Sequence, residues 1–168
     1  GFTQGYGKVQ QDVLIPAFIS AYSNQSASDV SLDLFDIAPK MNWNLTYNGL
    51  SRVPFFAQYV KQLSVKHGYN STLEVNRFNT EPYFQEGATV INDQTDNFYS
   101  RLEIPTIVIQ EDLSPLIGVN MTLNNGMQLG VDYAKSRNLQ LNFLSDNKQV
   151  IESNSTTVNV TFGYLMKE

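Results

Sequence analysis

The sequence predicts an all-β fold: an antiparallel transmembrane β-barrel segment of about six long strands in a meander, with a short helical leader and a short helical connector. Three observations carry that expectation. First, Ile117, Val119, Met121 and Leu123 alternate with Gly118, Asn120 and Thr122. After an Asn124-Asn125-Gly126 turn the same phase continues through Met127, Leu129, Val131 and Tyr133, so both arms of a hairpin show one apolar face. Second, the opposite face, which continues through Gln128, Gly130 and Asp132, is mostly small and uncharged. A sheet turned toward water is usually covered by Lys, Glu and Arg, whereas neutral polar residues suit the inside of a wide barrel whose outer residues meet lipid. Third, charged residues make up 16% of the chain, below the roughly 25% of typical soluble domains. No run of about eighteen apolar residues offers a membrane helix, so a membrane would have to be crossed by strands.

Composition bounds the rest. With 168 residues, 42% of them hydrophobic and 12% aromatic, the chain has the apolar material for a core and is not globally disordered. A formal net charge of −5 and the lack of a basic stripe argue against a nucleic-acid partner. The absence of cysteine removes disulfide frameworks and thiolate metal sites, and is compatible with an oxidising compartment. Residue 1 is glycine and the start lacks the basic and apolar regions of a signal peptide, so the chain reads as a mature piece or a fragment.

Residues 1–40 form the leader or insert. Val9, Val13, Leu14, Phe18, Ile19 and Tyr22 recur at helical spacing, with Pro16 as a kink or the first turn of a second helix. The stretch Ser23 to Asp29 is turn-like, and an irregular segment through Leu32, Leu34 and Phe35 closes at Pro39. Residues 41–168 are then expected to be barrel wall. Trp43, Leu45 and Tyr47 alternate with Asn44, Thr46 and Asn48 as a short strand. Leu50, Val53, Phe56, Tyr59 and Val60, around Pro54, suggest a one- or two-turn helical connector. Alternation resumes with Leu63, Val65, His67 and Tyr69 and reaches Leu73 and Val75.

Between Asn79 and Tyr99 the composition is that of an exposed loop. A strand returns at Leu102, Ile104, Thr106 and Val108 and is expected to stop at Asp112-Leu-Ser-Pro115, before the hairpin. The odd-numbered phase carries on past Tyr133 through Leu139, Leu141 and Phe143. That allows either one strand of about seventeen residues, roughly 55 Å long, or a second turn at Lys135 to Asn138. Val158, Val160, Phe162 and Tyr164 against Asn159, Thr161 and Gly163 repeat the pattern.

The candidate lumen-facing residues are therefore Gly118, Asn120, Thr122, Gln128, Gly130, Asp132, Asn159, Thr161 and Gly163. The candidate lipid-facing residues are Ile117, Val119, Met121, Leu123, Leu129, Val131, Val158, Val160 and Phe162. Trp43, Tyr47, Tyr69, Phe98, Tyr99, Tyr133, Phe162 and Tyr164 are candidates for membrane girdles or for ordinary packing. Lys135 and Arg137 occupy apolar-phase positions and should lie outside the hydrocarbon, either in water or as an anchor to lipid headgroups.

Catalytic, cofactor and metal sites are not expected. His67, the only histidine, sits in an alternating strand and reads as a packed residue rather than a catalytic or metal-binding one. Glu111 and Asp112 read as a solvated turn rather than an acid/base pair. Asp93, Asp96 and Asn97 lack the glycine and distal glutamate of a calcium loop. Asn24, Asn44, Asn70, Asn120, Asn154 and Asn159 begin N-x-S/T sequons, which Asn-rich sequence also produces by chance.

Several blocks carry a family resemblance: Gln10-Gln-Asp-Val-Leu-Ile-Pro-Ala-Phe18, Asn42-Trp43, Tyr47-Asn-Gly-Leu-Ser51, Leu113-Ser-Pro-Leu-Ile-Gly-Val-Asn-Met-Thr122 and Tyr133-Ala-Lys-Ser-Arg-Asn-Leu139. Together they resemble the SprA/Sov family, the outer-membrane translocons of the type IX secretion system of Bacteroidetes, which gliding members also need for motility. The resemblance implies a very large single-chain barrel in the bacterial outer membrane that exports folded cargo. It also implies partners: a PorV-like outer-membrane barrel, secreted cargo with C-terminal signals, and membrane lipid. Tyr164-Leu-Met-Lys-Glu168 lacks the terminal aromatic of finished outer-membrane barrels, so the chain is expected to be an internal stretch near the family's C-terminal end. The alternatives are a small complete outer-membrane barrel of about eight strands and a soluble secreted β-sandwich binding module.

Overall fold

A computed structural model of the chain describes residues 4–23, 26–31, 41–87, 89–144, 148–164 and 166. The irregular stretch expected through Leu32, Leu34, Phe35 and Pro39 lies outside them. Two compact units emerge. The first comprises Gly1–Pro39, Leu73–Val108 and Leu139–Ile151, and the second Lys40–Thr72, Ile109–Asn138 and Glu152–Glu168.

In the first unit the leader forms one helix, α1 (Gln11–Ser23), continuous across Pro16. Ile15 and Ile19, four residues apart on one face, are buried with Ile104, Ile107 and Leu141, and Leu14, Phe18, Leu73, Val75 and Phe143 pack around them. Ile107 is 0% exposed. The helix is also stitched to the segment before Ile107 by side chains. Gln11 donates from Nε2 to the Leu102 carbonyl and accepts at Oε1 from the Ile104 amide, 3.1 Å away, so one amide side chain serves both groups of a short extended stretch. Gln10 Nε2 reaches the Phe98 carbonyl at 3.1 Å, and the Ser100 hydroxyl donates to Asp12 Oδ2 at 2.8 Å. Burial pushes the Asp12 carboxyl above its ordinary value, against the opposing pull of that hydroxyl.

The expected loop from Asn79 to Tyr99 holds one minimal ribbon, and its first two residues pair with Leu102–Glu103 beyond it in a second. The strand expected from Leu102 is thus broken before Thr106, and both ribbons belong to this unit. In chain order the strands are β1 (Trp43–Tyr47), β2 (Val60–Asn76), β3 (Asn79–Thr80), β4 (Ile91–Asn92), β5 (Asn97–Phe98), β6 (Leu102–Glu103), β7 (Thr106–Leu123), β8 (Met127–Asn142) and β9 (Gln149–Tyr164). β3 pairs with β6 and β4 with β5, each over two residues. Phe98, a girdle candidate, sits in a ribbon with its ring edge-on to Tyr6 at 5.2 Å, and Tyr99 lies 5.5 Å from Tyr83. Both are therefore packed in the first unit.

The main sheet is antiparallel and five-stranded, in the order β1-β2-β7-β8-β9. It is open: β1 and β9 are its edges, and it does not close into a barrel within the described residues. The strand count also needs correction. Instead of about six long strands there are four among the described residues, of 17, 18, 16 and 16 residues, beside the five-residue β1. The expected stop at Asp112 to Pro115 does not occur, because β7 runs through it. β7 lies between β2 and β8, so backbone pairing on both sides outweighs the single donor that Pro115 lacks.

Of the two expectations for Lys135 to Asn138, the strand is the one adopted, since all four residues lie within β8. In the second unit a 3-10 turn at Gly49–Arg52 and the four-residue helix α2 (Pro54–Ala57), which starts on Pro54, form the expected connector between β1 and β2. The Asn124-Asn125-Gly126 turn joins β7 to β8, with Gly126 at φ +91° and its amide bonded to the Leu123 carbonyl.

Candidate functional site

Because side chains alternate along a strand, register decides which residues share a face. In the second unit β1 pairs with β2 as Trp43↔Tyr69, Leu45↔His67 and Tyr47↔Val65 on one face, and as Asn44↔Gly68 and Thr46↔Lys66 on the other. The polar face continues into the neighbouring strands through contacts at glycines. A Cβ at Gly118 would lie 3.5 Å from Lys66 Cβ and would run into Asp132 Oδ1. One at Gly130 would lie 2.8 Å from Asn120 Oδ1 and 3.4 Å from Thr161 Cβ, and one at Gly163 would lie 3.3 Å from Gln128 Oε1. The glycines are thus the places where longer polar side chains from the next strand lie flat across the sheet.

Eight of the nine lumen-facing candidates meet here: Gly118 with Asp132, Gly130 with Asn120 on one side and Thr161 on the other, Gln128 with Gly163, and Thr122 beside them. Thr122, Asn120, Gln128 and Thr161 line a shallow concavity of about 240 Å³ with Gln62 and Ser64 of β2. Asn159, the ninth, is exposed on the edge strand β9. Gln62 and Ser64 were missed although their signal was present, since they alternate with Leu63 and Val65. The face is neutral rather than uncharged, because Lys66 and Asp132 both flank Gly118.

The other face of this unit is apolar and open. Ile117 is 52% exposed, Val160 72% and Phe162 66%, with Val131 and Val158 also exposed. Val119, Met121, Leu123 and Leu129 are half-buried among them. Trp43, Leu45 and Tyr47 extend the surface across β1, with the Trp43 and Tyr69 rings stacked at 4.6 Å. Contiguous apolar patches larger than a few hundred Å² are rare on monomers in water.

One row of charge crosses that face. Arg137 Nε donates to Glu152 Oε1 at 2.9 Å, and its Nη1 lies 3.9 Å from Glu111 Oε2. Tyr69 donates its hydroxyl to Glu111 Oε1 at 2.6 Å, and Asn154 donates to Glu152 Oε1 at 2.9 Å. Lys135 Nζ stands 5.7 Å from the centroid of the Tyr133 ring. Glu111, expected in a solvated turn, is thus a mid-strand partner of Arg137.

His67 uses Nδ1 to bond the Leu116 carbonyl at 2.6 Å, which ties β2 to β7. Of the loop residues Asp93, Asp96 and Asn97, the last accepts at Oδ1 from the Gly7 amide at 2.7 Å, so that side chain is engaged in holding the leader. No grouping of three or more metal-ligating side chains occurs among the described residues. No protein-family model and no curated protein matches the chain.

Proposed function

We propose that the chain is part of the wall of an outer-membrane protein translocon of the SprA/Sov kind, acting in type IX secretion and gliding motility. The observation that carries this reading is the two-sided sheet of the second unit, in which a broad exposed apolar face backs onto a neutral polar face. Water is a poor solvent for the first face and lipid a good one. The second face, built from Asn120, Thr122, Gln128, Gly130, Thr161 and Gly163, turns to the lumen. Folded cargo with variable surface charge passes such a lining without being held, because it presents no field of a single sign. Lys66 and Asp132 fit this role by offsetting each other.

The strand lengths agree with a large wall. Sixteen to eighteen residues exceed the nine to eleven needed to cross a bilayer, which favours a tall barrel over a minimal one. By the resemblance, the partners are a PorV-like barrel and cargo bearing C-terminal signals, and the role is passage, not catalysis. Replacing Asn120, Gln128 and Thr161 together with Leu should impair export while the barrel still assembles. Unchanged secretion with normal assembly would remove the lumen-lining role.

A further inference from the structure

We infer that the charged row across the apolar face of the second unit marks the edge of the bilayer. The row meets the lipid headgroup layer, and the sheet between it and the Asn124-Asn125-Gly126 turn meets hydrocarbon. This rests on the lipid-facing reading above and adds where on that face the lipid ends.

The row joins three adjacent strands, with Glu111 on β7, Lys135 and Arg137 on β8 and Glu152 on β9. Lys135 and Arg137 share the odd phase of Val131 and Tyr133, so they project from the apolar face. A basic side chain at the midplane of such a wall costs about 2 to 4 kcal/mol, falling to about 0 to 1 near the interfaces. Two basic residues and two acidic ones gathered in one row therefore belong at a level where water and headgroups solvate them. Arg137 is satisfied by Glu111 and Glu152, whereas Lys135 has no ion pair among the described residues and is the cation left for headgroup phosphate.

Aromatic residues mark the same level. Trp43 is in register with Tyr69, whose hydroxyl reaches Glu111, and an amphipathic Trp–Tyr stack prefers the membrane–water boundary. At the other end of the band, the Tyr59 carbonyl accepts the Asn124 amide at 3.1 Å, which brings exposed Tyr59 and its neighbour Phe55, 6.2 Å away, beside the turn.

The spacing between these levels fits a membrane. From Leu113, which lines the same hollow as the row, to Leu123 before the turn is ten steps along β7, about 33 Å at 3.3 Å per residue. At a strand tilt of about 40° this spans about 25 Å along the membrane normal, the height of the apolar band of outer-membrane barrels.

The chain has no cysteine, and β9 offers exposed positions at each level, so three single-cysteine variants test the inference in outer-membrane fragments open to reagent from both sides. Asn154→Cys lies in the row, Val160→Cys in the band, and Thr161→Cys on the polar face. With a charged, membrane-impermeant maleimide, which reacts with the thiolate, Asn154→Cys and Thr161→Cys should label at similar rates and Val160→Cys at least about tenfold more slowly. If Asn154→Cys is as slow as Val160→Cys while Thr161→Cys labels readily, the row lies within hydrocarbon and the inference fails with the lipid-facing reading intact. If Val160→Cys labels as fast as Thr161→Cys, the lipid-facing reading fails and the inference fails with it.

Discussion

Replacing Val160 with Arg separates a lipid-facing strand from a water-facing one, because the two environments predict effects that differ severalfold in free energy. Val160 is 72% exposed and so loses little packing when changed. In water, a substitution at such a surface position shifts stability by about 0.5 kcal/mol or less. In the apolar band it lies well away from both the charged row and the turn, where Arg costs about 2 to 4 kcal/mol. At about 1.4 kcal/mol per tenfold, that is a loss of roughly thirtyfold to several hundredfold in the folding equilibrium. Thr161→Arg, one residue on, points to the polar face and should stay near the water value. The assay is urea unfolding of the protein in phosphatidylcholine vesicles, followed by the fluorescence of Trp43, the only tryptophan of the chain. Equal and small effects at both positions would refute the assignment of faces.

Three further outcomes are expected in the first unit. Ile107→Ala empties the centre of the core under α1 and should destabilise this unit by about 2 to 5 kcal/mol, measurable by urea unfolding. Gln11→Leu leaves the Ile104 amide and the Leu102 carbonyl without their partner, a cost of about 1 to 3 kcal/mol for each group that stays buried. Hydrogen exchange at the Ile104 amide should quicken while that at the β7–β8 turn is unchanged. Asp12 has a folded pKa raised above 3.8, so folding favours its protonated form, and that contribution is lost as pH rises through the raised value. Asp12→Asn should therefore raise the melting temperature at pH 7, with the gain vanishing below about pH 3.8. An equal gain at both pH values would contradict the burial account.

Much of the sheet was legible because its signal is local. Alternation from Ile117 to Tyr133 and from Val158 to Tyr164 assigns each residue to a face without knowledge of the partner strand, and the Asn-Asn-Gly turn sets the hairpin. The approach of Asn120 and Thr161 to Gly130 from either side, and of Gln128 to Gly163, follows from that phase. Helix α1 was legible for the same reason, since Ile15 and Ile19 recur at its period.

What local pattern could not supply was pairing across long sequence distance. Asp112 to Pro115 carries the composition of a stop, yet β7 passes through it because β2 and β8 flank it on both sides. Arg137 looked misplaced in an apolar phase until Glu111 and Glu152, 26 and 15 residues away, arrived on the adjacent strands. The attachment of Gln11 to Leu102 and Ile104 spans more than ninety residues and has no signature in the residues between.

Spin-label accessibility along β9 tests the central claim most directly, because five successive positions read both faces at once. With nitroxides placed singly from Val158 to Phe162 in membranes, collisions with oxygen should peak at 158, 160 and 162. Collisions with a water-soluble nickel chelate should peak at 159 and 161. Equal access of the chelate to all five positions would show a strand in water on both sides, and the wall of a membrane passage would no longer describe this sheet.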